Sequence, residues 1–247
     1  MYKNKKVACV IPARLASTRF PRKILAQLQG KPLVQHAYEA AKKTHIFDEI
    51  VVAVDAEETK RVVEGFDGQA VETSRFCTNG TQRLLEVKAQ GKIQADVWVN
   101  WQADEPFIHR ALLEDLLQGI EEGCDVWTLR KLINKSYEIE DPNVVKVVVN
   151  AKEEALYFSR YPIPYCRDIS KEPLVYKHLG LYAYSSEALK KIADMAPCEV
   201  EETEMLEQLR FLYHGLKVQV FTTEHETIGI DLPEHLELAR QYVLEKN

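Results

Sequence analysis

The chain alternates short apolar runs with segments whose apolar residues recur every three or four positions. The runs are rich in β-branched residues, which is typical of strands, whereas the spaced pattern is typical of helices that bury one face. Strand and helix alternating at this spacing indicate βαβ units and an α/β fold with a mainly parallel, Rossmann-like sheet covered by helices on both faces. In the first half the predicted strands are 7–11, 50–54, 70–72, 97–101 and 125–129, and the predicted helices are 33–43, 57–64, 81–88 and 112–120.

The pattern changes after Asp141-Pro142. Strands then follow one another with little helix between them, and prolines bracket an irregular segment at 161–176. We interpret residues 150–180 as a β-rich excursion, a lid or a dimer contact, from a single domain that spans residues 1–247. In this half the predicted strands are 144–149, 156–159, 179–184 and 218–221, and the predicted helices are 186–195, 202–213 and a last one that Pro233 opens.

Charge is distributed unevenly along the chain. The first 38 residues hold eight of the 32 Lys and Arg and no acidic residue, so the remainder, with 24 basic and 38 acidic residues, has a net charge of −14 within an overall −6. A cationic loop between a strand and a helix suits a polyanion such as a nucleoside triphosphate, and a solvated basic N-terminus is the alternative. The net acidity argues against nonspecific nucleic-acid binding.

The length of the chain, its apolar runs and its cysteines further limit the kind of protein that it can be. At 247 residues, with 46% hydrophobic and 28% charged residues, the composition is that of an ordinary globular protein. The longest apolar runs are too short for a membrane span, and the N-terminus does not resemble a signal peptide. Five widely spaced cysteines without a Cys-x-x-Cys pair support neither a zinc site nor a disulfide framework. We therefore expect a cytoplasmic protein that does not bind membranes.

Candidate chemistry lies where the predicted parallel strands end. The cationic loop with Arg14, the residue Asp55 and the segment Gln102–Pro106 follow three such strands, and ligands of these sheets bind beyond the carboxyl ends of the strands. Asp104 is placed to hold Mg²⁺ against phosphates, and Asp231, in a loop after the last strand, could be its partner. For either aspartate taken alone, a helix cap or a loop carboxylate is the alternative.

Other polar residues give weaker signals. Asn79-Gly80 is a turn signal and Thr81 a fair N-cap, so backbone N–H groups there could bind a base edge or a phosphate, although a plain turn also fits. His178 begins a predicted strand, and a lone histidine is more often structural than catalytic. Glu204 and Glu207 share an acidic predicted helix, most of whose charge we expect to be solvated.

Six motifs follow one another in an order that is typical of one family. They are Pro-Ala-Arg-x-x-Ser-Thr-Arg, Gln-x-Asp-Glu-Pro, Ala-Leu-Tyr-Phe-Ser-Arg, Lys-His-Leu-Gly-Leu-Tyr, Met-Leu-Glu-Gln-Leu-Arg and Gly-Ile-Asp-x-Pro-Glu. From about Val7 to Arg240 the chain resembles the 3-deoxy-D-manno-octulosonate (Kdo) cytidylyltransferases, or CMP-Kdo synthetases. The resemblance implies a single nucleotidyltransferase domain, usually a homodimer, that uses Mg²⁺ to convert CTP and Kdo to CMP-Kdo and pyrophosphate in the cytoplasm, for lipopolysaccharide biosynthesis.

The resemblance also implies roles for individual residues. Arg14, Lys23 and Asp104 match catalytic positions, and Asp104 with Asp231 match the metal ligands. The implied nucleotide-binding residues are Ala13, Arg14, Arg19, Lys23, Thr73, Asn79 and Gly80, and the implied sugar-binding residues are Gln102, Arg160, His178, Tyr182 and Glu207.

The chain departs from the family pattern near the nucleotide loops. Arg22 and Ala103 stand where the family usually has glycine, Gln82 where it has an acidic residue, and Leu232 where it has threonine. Two alternatives therefore stay open, a related acidic sugar such as an amino-substituted octulosonate as acceptor, and a weakly active homologue that binds a nucleotide for regulation. A glycosyltransferase with a related fold is disfavoured because the chain has no Asp-x-Asp signature.

Overall fold

The computed structural model divides the chain into two compact units. One is Met1–Leu113 with Thr227–Asn247, and the other is Glu114–Glu226. The predicted excursion falls in the second unit; its function as a lid or dimer contact, and the single domain, stay predictions. The structure describes residues 1–17, 19–121, 123–168, 170 and 173–246, so Thr18 of the first motif and Ile169, Lys171 and Glu172 of the excursion lie outside the described residues.

The first unit is built on a parallel sheet. In chain order its elements are β1 (Val7–Ala13), a 3₁₀ turn (Lys23–Leu25), β2 (Gln27–Leu28), β3 (Lys31–Pro32), α1 (Leu33–Thr44), β4 (Glu49–Val54), α2 (Glu57–Gly65), β5 (Ala70–Glu72), α3 (Gly80–Ala89) and β6 (Val97–Asn100). The boundary between the two units falls within α4 (Arg110–Leu116). The strand order is β6-β1-β4-β5, and each neighbouring pair is parallel.

Burial on both faces explains the central strand of this sheet. Every residue of β1 is buried, and helices α1 and α3 pack against it. Burying a Val or Ile side chain contributes about 1.5–3 kcal/mol, so this run is among the strongest contributors to the core. Cys9 pairs with Ile50 on one side and with Val99 on the other. This register brings the carboxyl ends of β1, β4 and β6 to one edge of the sheet.

The second unit mixes parallel and antiparallel pairing. Strand β11 is parallel to β7, β10 is antiparallel to β7 and β8, and β8 is antiparallel to β9. These elements are β7 (Val126–Leu132), α5 (Tyr137–Glu140), β8 (Lys146–Val149), β9 (Ala155–Ser159), β10 (Tyr176–Ser185), α6 (Ser186–Ala193), α7 (Glu199–Glu204), α8 (Gln208–Tyr213) and β11 (Val218–Thr222), and the chain ends in α9 (Pro233–Lys246) of the first unit.

The predicted α/β class with a mainly parallel sheet is confirmed, and several element boundaries are corrected. The single helix predicted at 202–213 is two helices, because Met205 adopts a left-handed conformation (φ 54°) that ends α7. Helix α4 ends at Leu116 rather than at residue 120. None of the described helices is long and apolar enough to cross a membrane.

A small apolar cluster fixes the C-terminal segment to the first unit. Leu28, Leu33, Ile230 and Leu236 are buried together, with Phe20 and Phe107 packed against them. Because Ile230 is wholly buried in this cluster, the next residue, Asp231, is held beside the loop that follows β1.

Candidate active site

A cavity of about 720 Å³ lies in the first unit, where β1, β4 and β6 end. A volume of this size is ordinary for a small-molecule site. The polar loops predicted from the sequence form its walls, and the strand-end position is the one expected for a parallel sheet. Of the predicted residues, Arg14, Arg19, Lys23, Asn79, Gly80, Gln102 and Asp104 line the cavity.

Lys23 joins the two predicted metal ligands. Its Nζ donates to the carboxylate of Asp104 and, across 2.7 Å, to Asp231 Oδ1. Burial alone would lower the pKa of Lys23, but the charges and hydrogen bonds of the two aspartates outweigh it and raise the pKa. Burial would likewise raise the pKa of Asp231, but Lys23 outweighs it and lowers that pKa. The site therefore holds an ammonium ion between two carboxylates.

The backbone explains why Asp104 and Asp231 meet although 127 positions separate them. The N–H of Ile230 donates to the carbonyl oxygen of Asp104 across 2.9 Å. Trp101 also donates from its indole to the carbonyl oxygen of Glu105 across 3.1 Å, which closes the turn after β6. Two segments that are distant in sequence are thus fixed together at the strand edge.

The two aspartates fit a magnesium ion. Mg²⁺ prefers oxygen ligands and usually binds one or two protein carboxylates, with phosphate and water oxygens completing its octahedron. Asp104 and Asp231 already converge on one cation, the Lys23 ammonium. In the described part of the chain no group of three or more His, Cys, Asp or Glu side chains is placed to hold a metal. An ion at this pair would therefore draw further ligands from a bound phosphate and from water.

The other cations of the first loop differ in their partners. Arg19 is paired with Asp231 across 3.2 Å, and Arg22 is paired with Glu58 at the start of α2. Arg14 is exposed and makes no hydrogen bond or ion pair with the residues that the structure describes. Its guanidinium is therefore available to an anionic ligand in the cavity.

A buried ion pair, which sequence reasoning missed, connects the two loops of the cavity. Arg83 donates to Asp55 Oδ2 across 2.8 Å and to Thr73 Oγ1 across 2.9 Å, while Asp55 Oδ1 accepts from the backbone N–H of Leu15 across 3.0 Å. One pair thus fixes both the residue after Arg14 and the predicted nucleotide-binding Thr73. The signal in the sequence was Asp55 directly after a strand, but its partner could be found only in three dimensions.

The start of α3 packs closely against the end of β6. Asn79, not the predicted Thr81, is the N-cap, and its Oδ1 accepts from the N–H of Gln82 across 2.8 Å. A Cβ atom at Gly80 would lie 2.9 Å from Asn100 Nδ2 and 3.2 Å from Gln102 Nε2, so any larger residue would displace these side-chain amides at the end of β6. This packing brings the Asn79-Gly80 turn next to the predicted sugar-binding Gln102.

Glu105 is a half-buried residue that sequence reasoning gave no role. Burial, together with the negative charges of Asp104 and Asp231, raises its pKa to about 8. Its Oε2 atom is buried without a hydrogen-bond partner among the described residues. At neutral pH this side chain is therefore largely neutral and adds little to the negative charge at the aspartate pair.

The remaining predicted sugar-binding residues lie in the second unit. The ring centroids of His178 and Tyr182 lie 5.2 Å apart, and a hydrogen bond of 2.9 Å joins His178 Nε2 to Thr128 Oγ1. Burial lowers the pKa of His178 to about 3, and it raises the pKa of Tyr182, as do Tyr184 and Glu207 to a smaller extent. The Tyr182 hydroxyl is buried with no partner among the described residues. His178, Tyr182 and Glu207 are thus neighbours, and their part in sugar binding stays a prediction.

Arg160 directly follows β9 and is held by Glu204, the last residue of α7. Its Nε donates to the carbonyl oxygen of Glu204 across 2.7 Å. The carboxylate of Glu204 in turn accepts from Ser159 and from the backbone of Arg160. Most of the charge of this segment was expected to be solvated, and Glu204 departs from that expectation because α7 ends at this residue and its side chain bonds to the end of β9.

A cationic strand-end cavity beside a carboxylate pair is the arrangement of a nucleotide-binding α/β transferase. The cytidylyltransferase family model matches residues 8–222, and the chain belongs to this family. It is 42% identical to the 3-deoxy-manno-octulosonate cytidylyltransferases of Geotalea uraniireducens and Geobacter sulfurreducens, over 94% of this chain and 96% of each relative.

Solved structures give the same result. The chain is 39% identical to CMP:2-keto-3-deoxy-manno-octonic acid synthetase complexed with CTP, with a TM-score of 0.92 over 98% of this chain and 100% of that one. At 15% identity, 4-diphosphocytidyl-2C-methyl-D-erythritol synthase from Anaerococcus prevotii shares the fold, with a TM-score of 0.63 over 97% of this chain and 99% of that chain.

Proposed function

We propose that this protein transfers CMP from CTP to the anomeric hydroxyl of Kdo and releases pyrophosphate. The observation that carries the proposal is the near-complete match to a synthetase complexed with CTP, combined with a cavity that holds the cations and carboxylates this reaction needs. The names of the relatives at 42% identity supply the acceptor sugar. The product is the activated sugar for lipopolysaccharide biosynthesis.

The reaction is an in-line substitution at the α-phosphorus of CTP. The anomeric oxygen forms a bond to the α-phosphorus as the bond to the β-phosphate oxygen breaks, and the hydroxyl proton is released. Such a transfer depends on positioning and on stabilisation of phosphate charge more than on covalent participation of the protein. Arg14 and Lys23 would supply the positive charge, and Ala13, Thr73, Asn79 and Gly80 would shape the nucleotide pocket.

Magnesium dependence is part of the proposal. Asp104 and Asp231 would hold the ion, which when bound would neutralise phosphate charge. Their oxygen donors and their convergence on one cation support this assignment. With the ion and CTP present, we expect the Lys23 ammonium to move from the aspartates toward the phosphates, because the aspartates would then share their charge with the ion while the phosphate oxygens offer the ammonium another anionic partner.

Sugar recognition would draw on Gln102, Arg160, His178, Tyr182 and Glu207. Arg160 would bind the acid group of Kdo. Glu207 and the Tyr182 hydroxyl, which has no partner among the described residues, would bind sugar hydroxyls. His178 is neutral at physiological pH because of its low pKa, so it would act by hydrogen bonding and packing.

A cytoplasmic homodimer is the proposed form of the enzyme. Tyr161, Tyr165 and Leu174, all in the excursion, are exposed by 74%, 84% and 67%, and a second copy of the chain would bury them. None of the five cysteines, all of them described, forms a disulfide bond, which fits a reducing compartment. Light scattering of the purified protein tests the dimer, and the Tyr165→Ser variant should weaken it.

The decisive test measures pyrophosphate release with each of the four nucleoside triphosphates, with and without Kdo and Mg²⁺. We expect release only with CTP, Kdo and Mg²⁺ together. Release with an amino-substituted octulosonate but not with Kdo would identify a related acidic sugar as the acceptor. Tight CTP binding without any release would indicate a regulatory nucleotide-binding homologue instead.

A further inference from the structure

Lys146, on β8, is a wholly buried lysine whose partners are backbone carbonyl groups. Its Nζ donates to the carbonyl oxygen of Arg160 across 2.5 Å and to that of Asp141 across 3.0 Å. The side chain is 0% exposed, and no carboxylate among the described residues forms an ion pair with it. Burial lowers the pKa of Lys146, and the negative charges of Asp141, Glu140 and Glu204 only partly offset that shift. Keeping the ammonium ion in this place is therefore costly, and the cost calls for a functional reason.

Glu204 holds the same arginine from another side. Its Oε2 accepts from the backbone N–H of Arg160 across 2.9 Å, and its Oε1 accepts from the hydroxyl of Ser159 across 2.7 Å. Both backbone polar groups of Arg160 are therefore bound by buried or half-buried ionised side chains. Such bonds to charged groups are stronger than those between neutral groups and fix the position of the main chain.

The guanidinium of Arg160 is also anchored, but it is not saturated. Its Nε donates to Glu204, one terminal nitrogen donates to the carbonyl oxygen of Pro142 across 2.9 Å, and the other donates to that of Met205 across 3.4 Å. A guanidinium has five N–H groups, so one on each terminal nitrogen has no acceptor among the described residues. A carboxylate has two oxygens and can accept both of these charge-assisted bonds.

We propose that Lys146 and Glu204 are positioning residues that orient Arg160 for the carboxylate of the acceptor sugar. This inference rests on the proposed function and deepens it. Lys146 fixes the carbonyl side of Arg160 and adds a second positive charge beneath it, while Glu204 fixes the N–H side and offsets part of that charge. A preorganised guanidinium loses little conformational freedom when it binds a ligand. Discrimination between an acidic and a neutral sugar therefore depends on the contacts of Lys146 and Glu204 with Arg160.

The test compares Lys146→Met and Arg160→Met with the wild type, using Kdo and its carboxamide as acceptors. Lys146→Met should raise the KM for Kdo about tenfold or more, leave the KM for CTP and the kcat within about twofold, and reduce the preference for acid over amide. In the Arg160→Met background, Lys146→Met should have no further effect on the KM for Kdo, because it acts through Arg160.

Two variants control for a merely structural effect. Lys152→Met removes an exposed lysine from the turn between β8 and β9 and should leave all constants unchanged. If Lys146→Met fails to fold, Glu204→Gln takes its place, and we expect the same changes in KM and in acceptor preference. Equal increases in both KM values, or an unchanged acid preference in folded variants, would overturn the inference while leaving the proposed function intact. Absence of wild-type turnover with CTP and Kdo would overturn the proposed function and this inference with it.

Discussion

Arg83 donates to Asp55 across 2.8 Å, and the two side chains are only 2% and 6% exposed. Removing one partner of a buried pair leaves an uncompensated charge and costs roughly 3–5 kcal/mol. Loss of this pair would also affect the cavity, because Asp55 binds the loop after Arg14 and Arg83 binds Thr73. The pair therefore sets the separation of the two loops that line the cavity.

Replacing Arg83 with lysine tests this relationship. Lysine keeps the charge but cannot bind Asp55 and Thr73 simultaneously in the planar geometry of a guanidinium. We expect the KM for CTP to rise about tenfold while the KM for Kdo stays unchanged, measured by pyrophosphate release. Arg61→Lys is a matched control, because Arg61 is an exposed arginine paired with Glu57 on α2. Equal changes of both KM values would mean that the pair only stabilises the fold.

Asp104→Asn tests the assignment of the metal ligand. The change removes the charge without altering the volume, so we expect the fold to persist and turnover to fall by about two orders of magnitude or more. The measurement is pyrophosphate release as a function of Mg²⁺ concentration, with thermal unfolding as the check on folding. Asp67→Asn, at an exposed position, should behave as the wild type. Near wild-type rates of Asp104→Asn at limiting Mg²⁺ would contradict the assignment.

Substitution of Arg22 tests the effect of an additional cation in the loop after β1, which would bind the phosphates. It has a left-handed backbone (φ 56°), which glycine adopts without strain, and its guanidinium is paired with Glu58. We expect Arg22→Gly to raise both the KM for CTP and the kcat, because the cation stabilises bound pyrophosphate as well as the transition state. Glu58→Gln should lower the KM for CTP about two- to fivefold, since an exposed pair contributes at most about 1 kcal/mol. Unchanged constants in both variants would mean that Arg22 does not reach the phosphates.

The sequence was sufficient to predict the fold class and the position of the cavity at the strand ends. Strands 7–11, 50–54 and 97–101 are apolar on both faces, a pattern that few structures other than a covered parallel sheet can bury. Once the sheet is parallel, the strand ends must share one edge, so Arg14 and Gln102 had to approach each other. Local patterns were less reliable at helix ends, where the left-handed Met205 divided a segment that looks continuous.

Contacts between distant segments could not be predicted in the same way. No periodicity indicates that Arg83 pairs with Asp55 or that Lys146 binds the carbonyl group of Arg160. Asp231 was expected to partner Asp104, but its meeting with Lys23 was not predicted, because that meeting depends on the burial of Ile230 in an apolar cluster. Such contacts arise from the packing of the whole unit, and a linear pattern does not encode them.

The low pKa of His178 predicts a loss of stability in acid. Burial lowers this pKa from 6.5 to about 3, so below pH 6.5 the unfolded chain binds a proton that the folded chain does not. The contribution is fully present above pH 6.5 and is lost progressively as the pH falls toward 3. Between pH 7.5 and pH 5 this amounts to about 2 kcal/mol of unfolding free energy.

Comparison of His178→Gln with the wild type isolates that contribution. Glutamine keeps a polar group near Thr128 but does not titrate, so the variant should lose about 2 kcal/mol less than the wild type between pH 7.5 and pH 5 in urea unfolding. The exposed His214 provides the control, and His214→Gln should follow the wild-type curve. Parallel stability curves for His178→Gln and the wild type would show that the His178 ring is protonated in the folded protein at pH 5. In that case burial does not lower the pKa of His178, and the ring would titrate in the sugar site like an ordinary histidine.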